Sequence, residues 1–250
     1  MLTIAFATGT EPAKWFRRYE ALTGTPVSGT PSADPFALLS DGSGGSGGSG
    51  ADAALMRLPD SRVGEQHHVV RLYEETQAVA VPKDSVFAEV GGPVLDYDLA
   101  GEHLNFDYYD AQASPGLGPA EKVEELRAAL QVVAANVGFA RGPLPLLRAL
   151  SKKQVSVLKL AGAQPATAIG LVWLKERDAE DVQDFVGVAK GRTRRSSRGT
   201  VAGGKPARKP GGRKTASRSK QRGGGQNSRG VGSKGHGKGA RNSNRGKRPR

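Results

Sequence analysis

Cysteine is absent from the 250-residue sequence, and this absence removes several classes of protein at once. Without thiols there is no disulfide framework, no thiolate metal site and no cysteine nucleophile. No apolar stretch approaches the roughly 20 residues that a helix needs to cross a bilayer. The first residues, MLTIAFA, have no basic segment and too short an apolar run for a signal peptide, so we expect a cytoplasmic protein.

Acidic residues are missing from one end of the chain. Residues 191–250 hold 20 of the 37 Lys and Arg residues and none of the 24 Asp and Glu residues. Residues 1–190 therefore carry 17 cations and 24 acids, a net charge of −7, whereas the whole chain has a net charge of +13. The basic character belongs to the tail alone and says nothing about the partners of residues 1–190.

The tail, residues 191–250, also lacks aromatic residues, and Val201 and Val231 are its only large apolar side chains. Such a composition cannot bury a core, so we expect the tail to be disordered. Its cations can neutralise nucleic-acid phosphates without reading sequence, and base stacking is not expected without aromatics. A solubilising tail without a dedicated partner is the alternative. The candidate nucleic-acid contacts are Arg192, Arg194, Arg195, Arg198, Arg208, Lys209, Arg213, Lys214, Arg218, Lys220, Arg222, Lys247, Arg248 and Arg250.

The stretch ADAALMRLP, residues 51–59, predicts a strand that is buried on both faces. It is short and mostly apolar, it follows glycines, and Pro59 closes it. Arg57 stands where this strand opens onto a loop, and ligands of open α/β sheets bind in the crevice at such strand ends. Arg57 therefore either faces a binding cleft or is neutralised by a nearby carboxylate at the domain edge.

Strand patterns and helix patterns alternate over residues 1–190, which predicts a mostly parallel α/β protein with room for two small lobes. Residues 2–7 form the first strand, and Thr10 is the expected N-cap of the helix that follows. Free N–H groups at such a helix start suit an anion, although most turns of this kind bind nothing. Further helices are expected from residue 34, over 119–137, from 146 and over 178–189, and further strands over 69–72, 77–81, 103–106, 138–143, 155–160 and 168–174.

Two short motifs match known signatures but stand in the wrong context. Gly42–Gly47 fits G-x-G-x-x-G, yet it follows a helix pattern and precedes a strand, the reverse of a dinucleotide-binding loop. Its composition predicts a flexible low-complexity loop instead. Gly224-Gly225-Gln226 matches the tripeptide of peptide-release factors, but it lies in the Gly-rich tail without a supporting fold.

Catalytic groups are not evident in the sequence. His67-His68 is expected to be a surface-loop pair without further metal ligands. Glu74-Glu75 and the pair Asp96 and Asp98 are expected to be solvated charges rather than an acid and a base. No nucleophile has a base at a recognisable spacing, so we expect no enzyme, no cofactor and no metal.

Several segments of residues 1–190 together resemble the effector-binding (substrate-binding) domain of LysR-type transcriptional regulators. Their order and spacing carry the resemblance, since no single segment is specific. The segments are residues 2–9 (LTIAFATG), 34–39 (DPFALL), 51–54 (ADAA), 72–75 (LYEE) with 80–82 (AVP), 132–138 (VVAANVG), 144–145 (LP), 171–173 (LVW) and 185–186 (FV).

This resemblance implies two α/β lobes of the periplasmic-binding-protein type II kind, with residues 1–76 and 169–190 in one lobe and 77–168 in the other. Crossing strands near residues 76–81 and 166–173 would join the lobes. A small effector, often a carboxylate-bearing metabolite, would lie between them, and such domains typically form homodimers. The matching ligand-binding positions are Thr8, Gly9, Thr10, Arg57, Pro59, Asn105 and Phe106.

The sequence departs from the family pattern in several places. Its first strand resembles the first strand of the effector domain, so we expect the DNA-reading winged helix-turn-helix to be missing. Asn136 stands where the family usually has glycine, and the Gly/Ser loop replaces a short connection. Residues 107–118 match no part of the pattern.

Two main hypotheses follow from these observations. The chain is a non-catalytic effector-binding domain of a LysR-like regulator whose basic tail contacts nucleic acid non-specifically. Alternatively, it is a nucleic-acid-binding or compaction protein whose α/β body serves only for dimerisation. An enzyme on a binding-protein fold is a third reading. A metabolite that raises the melting temperature would favour the first, because a ligand bound only by the folded state stabilises it.

Overall fold

The computed structural model describes residues 1–39, 50–110 and 116–191 of the chain. The Gly/Ser loop up to Ser49 and residues 192–250, with all the candidate nucleic-acid contacts, lie outside the described residues, so those expectations stay predictions. The chain divides into one compact unit, Met1–Val201, and a second unit, Ala202–Arg250, and the fold described below belongs to the first. Within the described ranges, no helix is long and apolar enough to span a bilayer.

Five strands form the first sheet. They are β1 (Leu2–Ala7), β2 (Val27–Ser32), β3 (Ala53–Leu58), β4 (His67–Glu74) and β9 (Ala168–Leu174), in the spatial order β2-β1-β3-β9-β4. Helices α1 (Ala13–Thr23) and α5 (Glu180–Ala189) pack on this sheet, and their side chains Tyr19 and Phe185 join its core. We call this sheet with its two helices lobe I.

Four strands form the second sheet, in the spatial order β6-β7-β5-β8. They are β5 (Gln77–Pro82), β6 (Leu104–Asp107), β7 (Phe139–Pro143) and β8 (Val155–Lys159). With helices α2 (Val86–Val90), α3 (Pro119–Ala134) and α4 (Leu144–Leu150) they make lobe II. One face of the sheet packs against apolar residues of α3 and α4, including Leu126 and Leu147.

The expectation of mostly parallel sheets is wrong, because four of the seven pairings among the described strands are antiparallel. The chain leaves lobe I through residues 75–76 and returns through residues 160–167. The returning strand β9 enters between β3 and β4 and runs against both. Hydrophobic patterns reveal strands but carry no information about their direction, so this reversal was not visible in the sequence.

Strand β3 is covered on both faces, as the sequence predicts. Ala53 and Leu55 belong to the core that β3 shares with α1 and α5. Ala54 and Met56 point to the other face, where Phe36 packs on them. None of these four strand residues is more than 2% exposed, so β3 is the central, fully enclosed strand of lobe I.

Some local predictions are wrong. Helix α1 begins at Ala13 with Pro12 as its N-cap, and Thr10 does not cap it. The Thr10 N–H instead donates to the Ala7 carbonyl at 2.9 Å, which closes a tight turn before the helix begins. The helix expected from residue 34 is only a 3-10 turn at Phe36–Leu38.

Two elements were not predicted at all. Strand β2 has the sequence VSGTPS, whose glycine and proline are typical of turns, and it lies at an edge of the sheet where proline is tolerated. Helix α2 has only five residues, too few to show a helical period.

Asn136 adopts the left-handed conformation, with φ at 67°. Helix α3 has ended two residues earlier, at Ala134, rather than at the predicted residue 137. Asparagine enters this region more readily than other residues with a side chain, which accounts for its place where the family pattern has glycine.

Candidate functional site

A cavity of about 790 Å³ lies between lobe I and lobe II, within the size range of small-molecule sites. Lobe I lines it with the ends of β1 and β3 and with the loop that follows β3. Lobe II lines it with the residues after β6 and the first turn of α3, and the returning segment contributes Thr167. The lining residues used below are Asp34, Arg57, Pro59, Asp60, Arg62, Tyr108, Tyr109, Glu121, Lys122 and Thr167.

Arg57 lines this cavity, and its charge is also neutralised by a carboxylate. Its Nε donates to Glu75 Oε2 at 2.9 Å and its Nη2 donates to Glu75 Oε1 at 3.1 Å. The same Nη2 donates to the Thr8 carbonyl at 2.9 Å. The side chains are only 9% and 1% exposed, so this is a buried, two-point ion pair.

Glu75 ties the two crossing segments together. Its N–H donates to the Thr167 carbonyl at 2.9 Å, and the Thr167 hydroxyl donates to its Oε2 at 3.0 Å. Residues 75–76 and 160–167 are the two connections between the lobes, so the Arg57–Glu75 pair sits where the lobes are joined. The expectation that Glu75 is solvated is wrong, since the residue is 2% exposed.

The other acids singled out in the sequence take ordinary surface roles. Glu74 is exposed, and its Oε1 lies 3.7 Å from Arg71 Nη2. Asp96 forms an ion pair with Arg141, and Asp98 accepts a hydrogen bond from the Leu95 N–H at 3.0 Å. Glu74, Asp96 and Asp98 do not line the cavity.

Arg62 lies on the lobe I rim of the cavity and is held by two carboxylates. It donates to both oxygens of Asp34 at 2.7 and 2.9 Å and to Asp60 at 2.7 Å, and it stacks 4.5 Å above the Phe36 ring. Burial alone would raise the pKa of Asp60, but the hydrogen bonds from Arg62 outweigh it and lower that pKa. The same bonds raise the pKa of Arg62, so its charge is permanent and already compensated.

The lobe II wall carries groups that have no ion-pair or hydrogen-bond partner within the described ranges. Lys122 forms no ion pair within the described ranges, and its Nζ lies 5.8 Å from the centre of the Tyr108 ring. The Tyr109 hydroxyl is buried without a hydrogen-bond partner, and burial, the first cause, raises its pKa, so it keeps its proton. The first turn of α3 has no side-chain cap, which leaves N–H groups open to an anion, although Glu121 in that turn weakens the positive potential.

The candidate ligand-binding residues from the sequence fall in different places. Arg57 and Pro59 line the cavity, and Thr8 contributes the carbonyl that holds Arg57. Gly9 and Thr10 line a second groove on the lobe junction. In lobe II, the Asn105 amide donates to the Val137 carbonyl at 2.7 Å, and Phe106 packs against the core, so neither lines the cavity.

His67 and His68 do not form a surface-loop pair, because both begin β4. The His67 Nδ1 accepts the Gly64 N–H at 3.1 Å. The His68 ring lies 5.3 Å from that of Trp173, and its Nε2 is 3.4 Å from an Asp178 oxygen. Within the described ranges, no three metal-ligating side chains come together.

Glu75, Thr167, Tyr109 and Lys122 were not singled out from the sequence. Tyr109 lies in the stretch 107–118 that matches no part of the family pattern. Lys122 lies in the first turn of α3, the helix with the clearest sequence pattern. That turn has no side-chain cap, a feature that suits an anion site. Glu75 carried no signal, because its partners are distant in the chain.

Two mixed sheets joined by a pair of crossing segments, with a cavity between them, define a two-lobed binding domain of the periplasmic-binding-protein type II kind. Solved structures share this fold. The effector-binding domain of BenM with its effector benzoate has 17% identity and a TM-score of 0.54, over 76% of this chain and 90% of that one. The reduced OxyR regulatory domain from Pseudomonas aeruginosa has 12% identity and a TM-score of 0.52, over 76% and 94%. Full-length CbnR in complex with its target DNA has 16% identity and a TM-score of 0.53, over 77% and 69%.

The model of the LysR substrate-binding domain family matches residues 48–194. The chain therefore belongs to this family, whose domains bind the effectors of LysR-type transcriptional regulators and are regulatory rather than catalytic. The resemblance to this family is confirmed, and so is the two-lobed α/β fold that it implies. No curated protein matches the sequence.

Proposed function

We propose that the chain senses a small organic anion, such as a carboxylate, in the cavity between lobe I and lobe II. The observation that carries this proposal is the lobe II wall, where Lys122 has no acidic partner and the Tyr109 hydroxyl has no hydrogen-bond partner within the described residues. The uncapped start of α3 adds to the attraction for an anion. Benzoate, the effector named for BenM, has the same chemical character.

Arg57 and Pro59 belong to the proposed site as lining residues. Because the Arg57 guanidinium is already bound to Glu75 and Thr8, we assign the effector's carboxylate to Lys122 and Tyr109. Arg57, neutralised by Glu75, then shapes the floor of the cavity. Family membership favours this sensing role over a body that serves only for dimerisation.

The Lys122→Gln variant is expected to bind a small carboxylate more weakly by about 1.5–3 kcal/mol, the size of one hydrogen bond to a charged group. The measurement is the shift of melting temperature of the full chain against benzoate and a panel of other small carboxylates. A ligand that binds the folded state alone raises the melting temperature with its concentration. The exposed Lys152→Gln variant is the matched control and should behave as the unaltered chain does.

Two outcomes would contradict the proposal for the cavity. One is a panel in which no carboxylate stabilises the unaltered chain. The other is a stabilising carboxylate whose affinity is the same for Lys122→Gln and Lys152→Gln, since binding would then occur away from the lobe II wall.

We also propose that residues 191–250 contact nucleic-acid phosphates without sequence preference. The support is compositional, with 20 cations and no acid in 60 residues. This contact would keep the sensing body close to nucleic acid, while the body itself, with a net charge of −7, is repelled by phosphates.

A homodimer of the body is expected from the family. The aromatic surface of α1 is not free for an interface, because Tyr19 is 1% exposed and lies 5.8 Å from Phe185, and Trp15 lies 6.3 Å from Tyr73. Sedimentation of residues 1–191 at tens of micromolar should still give a dimer. A monomer alone at that concentration would remove the homodimer from the proposal.

A further inference from the structure

The charged side chains that line the cavity between the lobes do not all neutralise one another. Three acids and three bases are among the described residues of its lining. Glu75 neutralises Arg57, and Arg62 takes both of the lining aspartates. Glu121 and Lys122 remain, and neither forms an ion pair within the described ranges. A ligand in the cavity therefore meets one uncompensated carboxylate as well as one uncompensated ammonium group.

The Glu121 carboxylate bends back toward the start of α3. A Cβ added to Gly118 would lie 2.6 Å from Glu121 Oε2, and both residues line the cavity. The side chain is exposed, so its charge faces the water that a ligand would displace. An acid in a first helical turn also stabilises the helix through its dipole, so a purely structural role for Glu121 is the alternative.

Glu121 and Lys122 are consecutive residues, so their Cα atoms lie only about 3.8 Å apart. Opposite charges this close on the protein match a ligand whose own opposite charges are close, because each then meets its counterpart. An α-amino acid has such charges, since its ammonium and carboxylate groups are attached to one carbon. A carboxylate without an amine meets Lys122 but brings its charge near the like charge of Glu121, and like charges repel.

Apolar side chains form much of the remaining wall. The Tyr108 and Tyr109 rings lie 5.8 Å apart between centres in an edge-to-face arrangement. Small-molecule sites combine such surface with a few placed polar groups, so an apolar ligand body can pack here while its charged end faces α3. Further apolar lining residues are Met56, Pro59, Leu117 and Pro119.

We propose that the ligand of this cavity is an amino carboxylate with an apolar side chain. Its carboxylate binds Lys122 and the Tyr109 hydroxyl, and its ammonium group binds Glu121. This inference rests on the proposed function and narrows it, because it adds the amine to the carboxylate and makes Glu121 the residue that selects for the amine.

Matched pairs of ligands test the role of the amine on the full chain. The pairs are phenylalanine with hydrocinnamate, which is phenylalanine without its amine, and leucine with isocaproate, which is leucine without its amine. Isothermal titration calorimetry gives the four Kd values. We expect at least one of the two amino acids to bind about tenfold or more tightly than its partner, the smallest gain expected of one hydrogen bond between charged groups.

The Glu121→Gln variant separates selection for the amine from support of the helix. The preference for the amino acid should fall below about twofold, the ratio left once the charged bond is lost, while the Kd of the compound without an amine stays the same or improves. A helix-supporting residue would instead weaken both members of a pair alike. Glu125→Gln is the matched control, because Glu125 is an exposed acid of α3 outside the cavity lining, and it should keep the preference.

Two results would overturn this inference. One is that hydrocinnamate and isocaproate bind the unaltered chain as tightly as the amino acids do. The other is that the preference for the amine survives in Glu121→Gln. In both cases binding of the carboxylates, weakened by Lys122→Gln, would leave the proposed function in place. If none of the four compounds binds, the proposed function fails together with this inference.

Discussion

Replacing Glu75 by alanine is expected to lower the free energy of unfolding by about 3–5 kcal/mol, because Arg57 would be left as a buried charge without a counter-charge. The Glu75 side chain is 1% exposed and that of Arg57 is 9% exposed, so water cannot take over the role of the carboxylate. The variant also loses the bond to the Thr167 hydroxyl, which adds to the loss. Urea denaturation of the full chain measures the effect.

The neighbouring Glu74→Ala variant is the matched control. Glu74 is an exposed residue 3.7 Å from Arg71, and its removal should cost no more than about 1 kcal/mol. The double variant Arg57→Leu/Glu75→Leu should recover much of the stability, because a buried ion pair replaced by apolar side chains of similar volume is often neutral. If Glu75→Ala and Glu74→Ala proved equally stable, the Arg57–Glu75 pair would not stabilise the junction of the lobes. If Glu75→Ala loses its cooperative transition, recovery in the double variant still supports the pair's role.

Removing residues 192–250 is expected to abolish nucleic-acid binding and to leave the body folded. All 20 cations of the tail lie in this segment, and the body that remains has an excess of acids. Each phosphate that is neutralised on B-DNA adds about −0.9 to the slope of log K against log salt. If about half of the cations engage, affinity falls by several orders of magnitude between low and physiological salt.

A salt titration of the full and truncated chains on two unrelated duplexes measures this expectation. The full chain should bind both duplexes alike, because contacts to phosphates carry no sequence information. Circular dichroism and thermal melting of the truncated chain provide the control for folding. Binding that survives the truncation, or that strongly prefers one duplex, would mean that the acidic body itself reads nucleic acid.

Much of lobe I and lobe II could be predicted from the sequence because local patterns determine them. Strand β3 was recognised from its short apolar run, and β9 was predicted with its observed bounds, Ala168–Leu174. Strand direction depends on which strands meet in the sheet, and no local pattern records it. The antiparallel entry of β9 beside β3 therefore became visible only in the structure.

The candidate site could be predicted only in part, for the same reason. Arg57 lines the cavity, but its partner Glu75 lies 18 residues further along the chain, and nothing in the sequence LYEE distinguishes it from Glu74. Chain crossing between the lobes buries one of these two glutamates and leaves the other in water. Lys122 owes its place in the cavity wall to the packing of α3 in lobe II, which the helix pattern alone does not reveal.

Gly9 of lobe I lies so close to Pro145 of lobe II that no side chain fits between the two backbones. Gly9 has φ at +88°, and a Cβ there would lie 2.8–2.9 Å from backbone atoms of Pro145 and Leu146. Backbone atoms on both sides leave no flexible side chain to move away, so even the methyl group of alanine acts as a wedge between the lobes. Gly9→Ala would therefore push the backbones of the two lobes apart at this contact.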